Sequence, residues 1–146
     1  YIPIRPFQLF MADTTVIENF NGFEHILNVI DIFSKFAYSQ PIRILNAEHI
    51  KRALSKILNT EEKPSRIQFD NGTEFKNTLI KDYLNSLNIK ISFSTAYNYK
   101  SQGQIERFHQ TQKRMLHNYM TNNNTNDWVS VLPLIIENYN SFEIMR

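Results

Sequence analysis

A chain of 146 residues with 42% hydrophobic and 13% aromatic content is long enough to bury a core and too apolar to stay disordered. The absence of cysteine excludes disulfides and thiolate zinc sites within the segment and fits a reducing compartment. The net charge of +2 is too small to mark a nucleic-acid binder by itself, and no apolar run is long enough to span a membrane. No signal-peptide pattern opens the chain. Without an initiator Met, and ending at Met145-Arg146, residues 1–146 read as one domain cut from a longer protein.

In chain order, Ile4 to Thr14 reads as a strand with Leu9, Met11 and Asp13 on one face and Phe10 and Ala12 on the other. Asn21-Gly22 is a hairpin-turn dipeptide. His25 to Phe33 is apolar on both faces, as a central strand would be, and Phe36 to Ile42 is a third strand. Short links between these three predict an antiparallel meander. The period then changes to that of a helix over Ala47 to Leu58, with Ile50, Leu54 and Ile57 inward. Arg66 to Asp70 is the fourth strand, Thr73 to Leu87 a second helix, and Ile89 to Phe93 a fifth strand. A polar loop over 96–104 precedes a long helix from Gln104 to Met120. After the Asn-rich linker, Asp127 can cap a last helix, whose start Pro133 should confine or whose axis it should kink. The order is mixed α/β with parallel pairing among the later strands.

Two acids sit where metal-dependent phosphoryl chemistry would want them. Asp70 ends a short apolar run at Asn71-Gly72, and Glu106 lies in the first turn of the long helix, 36 positions later. Asp13, read as the C-terminal end of the first strand, is the best third carboxylate. Three such acids repel one another when bare, and divalent cations reverse that. Two cations about 3.5–4 Å apart would activate the attacking oxygen of a phosphodiester and stabilise the leaving one. Each acid also has a plainer reading: Asp70 as a turn residue, Glu106 as a helix-dipole partner, Asp13 as a strand terminus.

The motifs MADTT, IQFDNGTEF and SQGQIERFHQT, with ILNVIDIFSKFA and DWVSVLPLIIENYNS around them, resemble the catalytic core of DDE-class integrases across essentially the whole chain. Gypsy-like retrotransposons, retroviruses and Maverick/Polinton or virophage elements carry such cores. The resemblance implies an RNase H-like fold and a polynucleotidyl transferase that trims 3′ ends of element DNA and joins them to target DNA. It implies Asp13, Asp70 and Glu106 as ligands of Mg²⁺, with Mn²⁺ substituting, in a two-ion site. Asp31, expected mid-strand, would be an acid without a catalytic role. The resemblance assigns Tyr97, Lys100 and Gln104 to an active-site loop against DNA. His109 and Lys113 lie on the polar stripe of the long helix, where phosphate contact is expected.

A homodimer or higher multimer is implied, built on the first helix and the long helix, with double-stranded DNA as partner and no membrane. The implied location is the nucleus or a virion or element particle. Two alternatives remain open: an inactive, domesticated core serving dimerisation or DNA tethering, and an RNase H-like hydrolase of RNA–DNA hybrids on the same fold.

Overall fold

A computed structural model describes residues 3–93 and 99–144, with side chains omitted at residues 99–101 and 144. The elements are β1 (Leu9–Phe20), β2 (Phe23–Asp31), β3 (Ala37–Ile42), α1 (Ala47–Ile57), β4 (Arg66–Phe69), α2 (Thr78–Ser86), β5 (Lys90–Phe93), α3 (Tyr99–Asn122) and α4 (Trp128–Ile144). They form one sheet in the order β3-β2-β1-β4-β5. The first three strands pair antiparallel, and β4 and β5 add in parallel, as the order of elements predicts. Asn21 and Gly22, at φ 51° and 86°, turn the β1–β2 hairpin with the left-handed pair that a type I′ turn requires.

Alternation along β1 decides what covers each face. Phe10 and Ala12 point to the side occupied by α1 and α2, where Ile50, Leu54, Ile80 and Leu84 close the core. Leu9 and Met11 point to the opposite side, against Ile105 and Phe108 of α3 with Tyr139 of α4. Asp13 shares the period-two phase of Leu9 and Met11, so it faces α3. Further along, Trp128 is fully buried among Ile26, Leu116 and Leu132, and its indole N–H donates to the Glu18 carbonyl at 2.8 Å.

A polar network ties α3 to the sheet. Asn28 of β2 donates to Gln112 of α3 at 2.7 Å, and Gln112 donates back to Asn28 at 3.1 Å and to Ser39 of β3 at 2.9 Å. Asn28 and Gln112 are both buried, so each bond replaces one that water cannot supply. Gln112→Leu keeps the volume but strands the Asn28 amide; it is expected to cost about 2–3 kcal/mol, read as a lowered urea midpoint at unchanged m-value. The edge strand β3 is blunted in a similar way. Asn140 of α4 accepts from the Ala37 amide and donates to the Ala37 carbonyl, both at 2.8 Å, standing in for a neighbouring strand.

Several boundaries differ from the sequence expectation. β1 runs on to Phe20, because the hairpin partner β2 supports it beyond the end of β4. β2 ends at Asp31 rather than Phe33. α2 starts only after Asn77, whose side chain accepts from the Ile80 amide. Residues 73–77 instead fold as a turn that lays Phe75 on Phe69 at 4.8 Å. α3 begins at Tyr99, so Gly103 and Gln104 lie inside the helix rather than in a loop. Pro133 sits inside α4, which already starts at Trp128, so it does not confine the helix start; Asp127 does, accepting from the Ser130 amide at 3.0 Å.

Candidate active site

Strand register brings the two aspartates together. β1 and β4 pair in parallel as Leu9 with Arg66, Phe10 with Ile67 and Met11 with Gln68. Continued by two residues, that register sets Asp13 beside Asp70. β4 stops at Phe69 while β1 continues, so Asp13 lies in mid-strand, at the point where β1 loses its parallel neighbour. That correction to the strand-terminus reading leaves the functional geometry intact, because the crevice is made by the end of β4.

The two carboxyls are joined by a hydrogen bond, and Asp13 is pushed up to about 7. Burial is the largest cause, followed by the bond to Asp70 and its negative charge; Glu74 adds a smaller repulsion, and the Thr14 amide works the other way. Asp13 therefore holds a proton at mildly acidic pH and donates it to Asp70. Each aspartate is also fixed locally: Asp13 Oδ1 accepts from the Thr14 amide and Asp70 Oδ1 from the Gly72 amide, both at 2.8 Å. Gly72 leaves room for Glu74, since a Cβ there would lie 2.5 Å from Glu74 Oε1.

Glu106, exposed near the start of α3, lines a cavity of about 20 Å³ together with Asp13 and Asp70, with Met11, Gln102 and Ile105 as further walls. That volume holds about one water-sized species. Among the described residues, no three His, Cys, Asp or Glu side chains come close enough to share a metal ion. The two aspartates are thus paired, and Glu106 stands at the rim of the same cavity.

Asp31 is excluded from this group. It ends β2 and is 2% exposed. Its Oδ2 accepts from the Phe7 amide at 3.0 Å, and its Oδ1 from Phe33 at 3.0 Å and Ser34 at 3.4 Å. Its oxygens organise the β2–β3 turn.

The residues expected against DNA are placed unequally. Tyr97 lies outside the described residues, as does the side chain of Lys100. Lys113 is exposed on α3. His109 is largely buried and held down to about 4, by burial first and by Lys113 second, so at neutral pH it is uncharged. Its Nε2 is buried without a hydrogen-bond partner among the described residues. Gln104 accepts from the Lys35 ammonium at 2.7 Å, and that ammonium also donates to the Ile32 carbonyl at 2.8 Å. Lys35 thus clamps the first turns of α3 to the β2–β3 turn. Sequence reading passed over it, along with Glu74: Glu74 lies only four residues beyond Asp70, whereas Lys35 meets Gln104 only through the fold.

The integrase core domain family model matches residues 3–99. Among curated relatives, the Pro-Pol polyprotein of Simian foamy virus type 3 (strain LK3) is 28% identical over 134 residues, covering 91% of this chain and 12% of the polyprotein. The Transposon Tf2-3 polyprotein of Schizosaccharomyces pombe is 28% identical over 140 residues, covering 94% and 10%. The chain thus spans about a tenth of the length of these relatives. Among solved structures, the HTLV-2 integrase catalytic core domain in complex with magnesium superposes with a TM-score of 0.78 at 18% identity, covering 91% of this chain and 84% of that one. The catalytic core domain of BIV integrase gives 0.75 at 22% identity, covering 88% and 80%. These likenesses show the RNase H-like fold.

Proposed function

The chain belongs to the integrase core domain family, and on that premise we propose that it is a polynucleotidyl transferase that processes DNA 3′ ends and inserts element DNA into a DNA target. The observation that carries the reading is the Asp13–Asp70 pair. Two carboxyls forced into contact, one of them raised to about 7, form a cradle of oxygens that a hard divalent cation would relieve. Mg²⁺ or Mn²⁺ fits this donor set, with Asp13 and Asp70 as the fixed ligands and Glu106 brought in from the rim of the cavity. When bound, two such ions would supply activation of the attacking oxygen and charge stabilisation of the leaving oxygen.

The chain's own part is placement. Parallel register fixes the separation of the aspartates, and the Thr14 and Gly72 amides orient them. The Lys35–Gln104 bond holds the turn of α3 that bears Glu106. Lys113, exposed on the same helix, would take a DNA phosphate; His109, uncharged at neutral pH, would serve by shape or as a hydrogen-bonding partner. Tyr97 and Lys100 stay assigned to DNA on the resemblance alone. Pairing with a second copy through α1 and α3 stays assigned on the resemblance alone, the unit acting in the nucleus or an element particle.

The stand-off of Glu106 favours one second reading, a core that tethers DNA or dimerises without turnover. Incubation with a branched DNA substrate in Mn²⁺ separates the two. Strand nicking by the wild type that disappears in Glu106→Gln supports the transferase. A folded chain that binds Mn²⁺ nowhere and nicks nothing supports the tether, and preferential cleavage of an RNA–DNA hybrid would return the hydrolase reading.

A further inference from the structure

A cavity of about 640 Å³ lies between α3 and α4 and shares no lining residue with the cavity of the paired aspartates. Lys35, Arg107 and Arg114 line it against a single acid, Glu143. Its remaining wall includes Phe108, Tyr139 and Phe142; Phe142 is 68% exposed, a large ring presented to solvent. Charge on this wall sums to +2, as much as the whole chain carries. The cleft is therefore a local concentration of positive charge on a protein whose average bias is slight.

From this combination we infer that the α3–α4 cleft binds a single strand of DNA, with phosphates on Arg107 and Arg114 and a base against Phe142. This rests on the proposed DNA-joining function and adds a second contact surface to it. Cationic walls over an aromatic floor are the make-up of single-strand sites, because every base offers a π-face. Arg107 and Arg114, seven residues apart, share one stripe of α3 about 10.5 Å apart along the axis. Gln104 and Arg107 border this cleft while Gln102, Ile105 and Glu106 border the cavity of the paired aspartates, so neighbouring residues of α3 serve the two.

Electrostatics agree with an anionic occupant. Burial first, and Arg107 second, hold the Lys35 ammonium below the usual lysine range, while Glu143 and Asp31 act against them. A phosphate between Lys35 and Arg107 would offset their repulsion. An acidic peptide could answer the charge as well, but the exposed ring favours a base.

The test is binding of a fluorescent oligothymidylate to the full chain in EDTA, where no turnover occurs. The double variant Arg107→Glu/Arg114→Glu is expected to weaken binding at least about 10-fold and to reduce the salt slope by about 1.4, at about 0.7 per phosphate on a single strand. Phe142→Ala should weaken it by about 5-fold or more. Equal weakening by Arg52→Glu, on α1 at the opposite face of the sheet, would overturn the site as mere bulk charge. Tighter capture of a polyglutamate peptide than of the oligonucleotide would overturn it in favour of a protein partner. Should the double variant fail to fold, Thr111→Cys puts a single thiol in the cleft of a cysteine-free chain. Crosslinking to a thiol-reactive strand above the level of Arg52→Cys supports the site, and parity overturns it. Because the readout excludes metal, loss of nicking in Glu106→Gln leaves it standing, and Mn²⁺ binding without strand binding removes the cleft alone.

Discussion

Asp70→Asn is expected to make the metal-free protein more stable at neutral pH and to abolish its stabilisation by Mn²⁺. Folded Asp13, raised to about 7 from an ordinary 3.8, keeps its proton through a window in which the unfolded chain has lost it. The folded state then binds more protons, so Asp13 makes stability fall as pH rises from about 4 to about 7. Removing the Asp70 charge removes part of that loss. Discounted for the partial exposure of the site, the gain in EDTA at pH 7.5 is about 1–2 kcal/mol. His109 has the opposite sign. Held down to about 4, it makes stability rise from about 4 to about 6.5, but it is common to both proteins and cancels in the comparison. In Mn²⁺ the order reverses: a ligand at 100 times its Kd stabilises the wild type by about 2.7 kcal/mol, and the variant, short of a fixed ligand, gains little. Thermal melts of both proteins with and without Mn²⁺ read the crossing. Parallel curves for the two proteins would remove Asp70 from the metal site.

The sheet was legible because its rules are local. Alternation marked β1, an apolar run on both faces marked β2, Asn21-Gly22 marked the hairpin, and the change of period marked α1 before the parallel strands. Asp13 and Asp70 were legible as types in a pattern, but their contact depends on the β1–β4 register, a long-range pairing that periodicity does not carry. The strand-end placement of Asp13 failed for a related reason: alternation continues through Thr15 and Ile17, and only the early stop of β4 opens the crevice. The start of α3 was hidden because Gly103 and its polar neighbours look like loop residues, while helix continuity there comes from Ile105 and Phe108 packing on β1 and β2. Buried amides such as Gln112 and Asn140 read as surface until their partners are known.

Asp31→Asn should do the reverse of the Asp70 change: destabilise the fold while leaving Mn²⁺ binding in place. The carboxylate accepts on both oxygens, Oδ2 from Phe7 and Oδ1 from Phe33 and Ser34. An amide accepts on one oxygen only, so its NH₂ group must face a backbone N–H whichever way it is turned. That leaves a donor unsatisfied in a residue 2% exposed, a loss of about 2–4 kcal/mol. The cost is aggravated at Phe7, whose φ of 63° is a left-handed conformation that an aromatic residue adopts only when held. The same turn presents Lys35, itself at φ 69°, with its amide on the Asp31 carbonyl at 2.8 Å. Loosening it should slacken the Lys35–Gln104 clamp and weaken nicking by a few-fold without removing it. Urea unfolding measures the first effect and Mn²⁺ titration of the folded variant the second. A variant that stays folded yet no longer takes up Mn²⁺ would transfer Asp31 from the scaffold to the metal site, since the buried turn offers no other route to that loss.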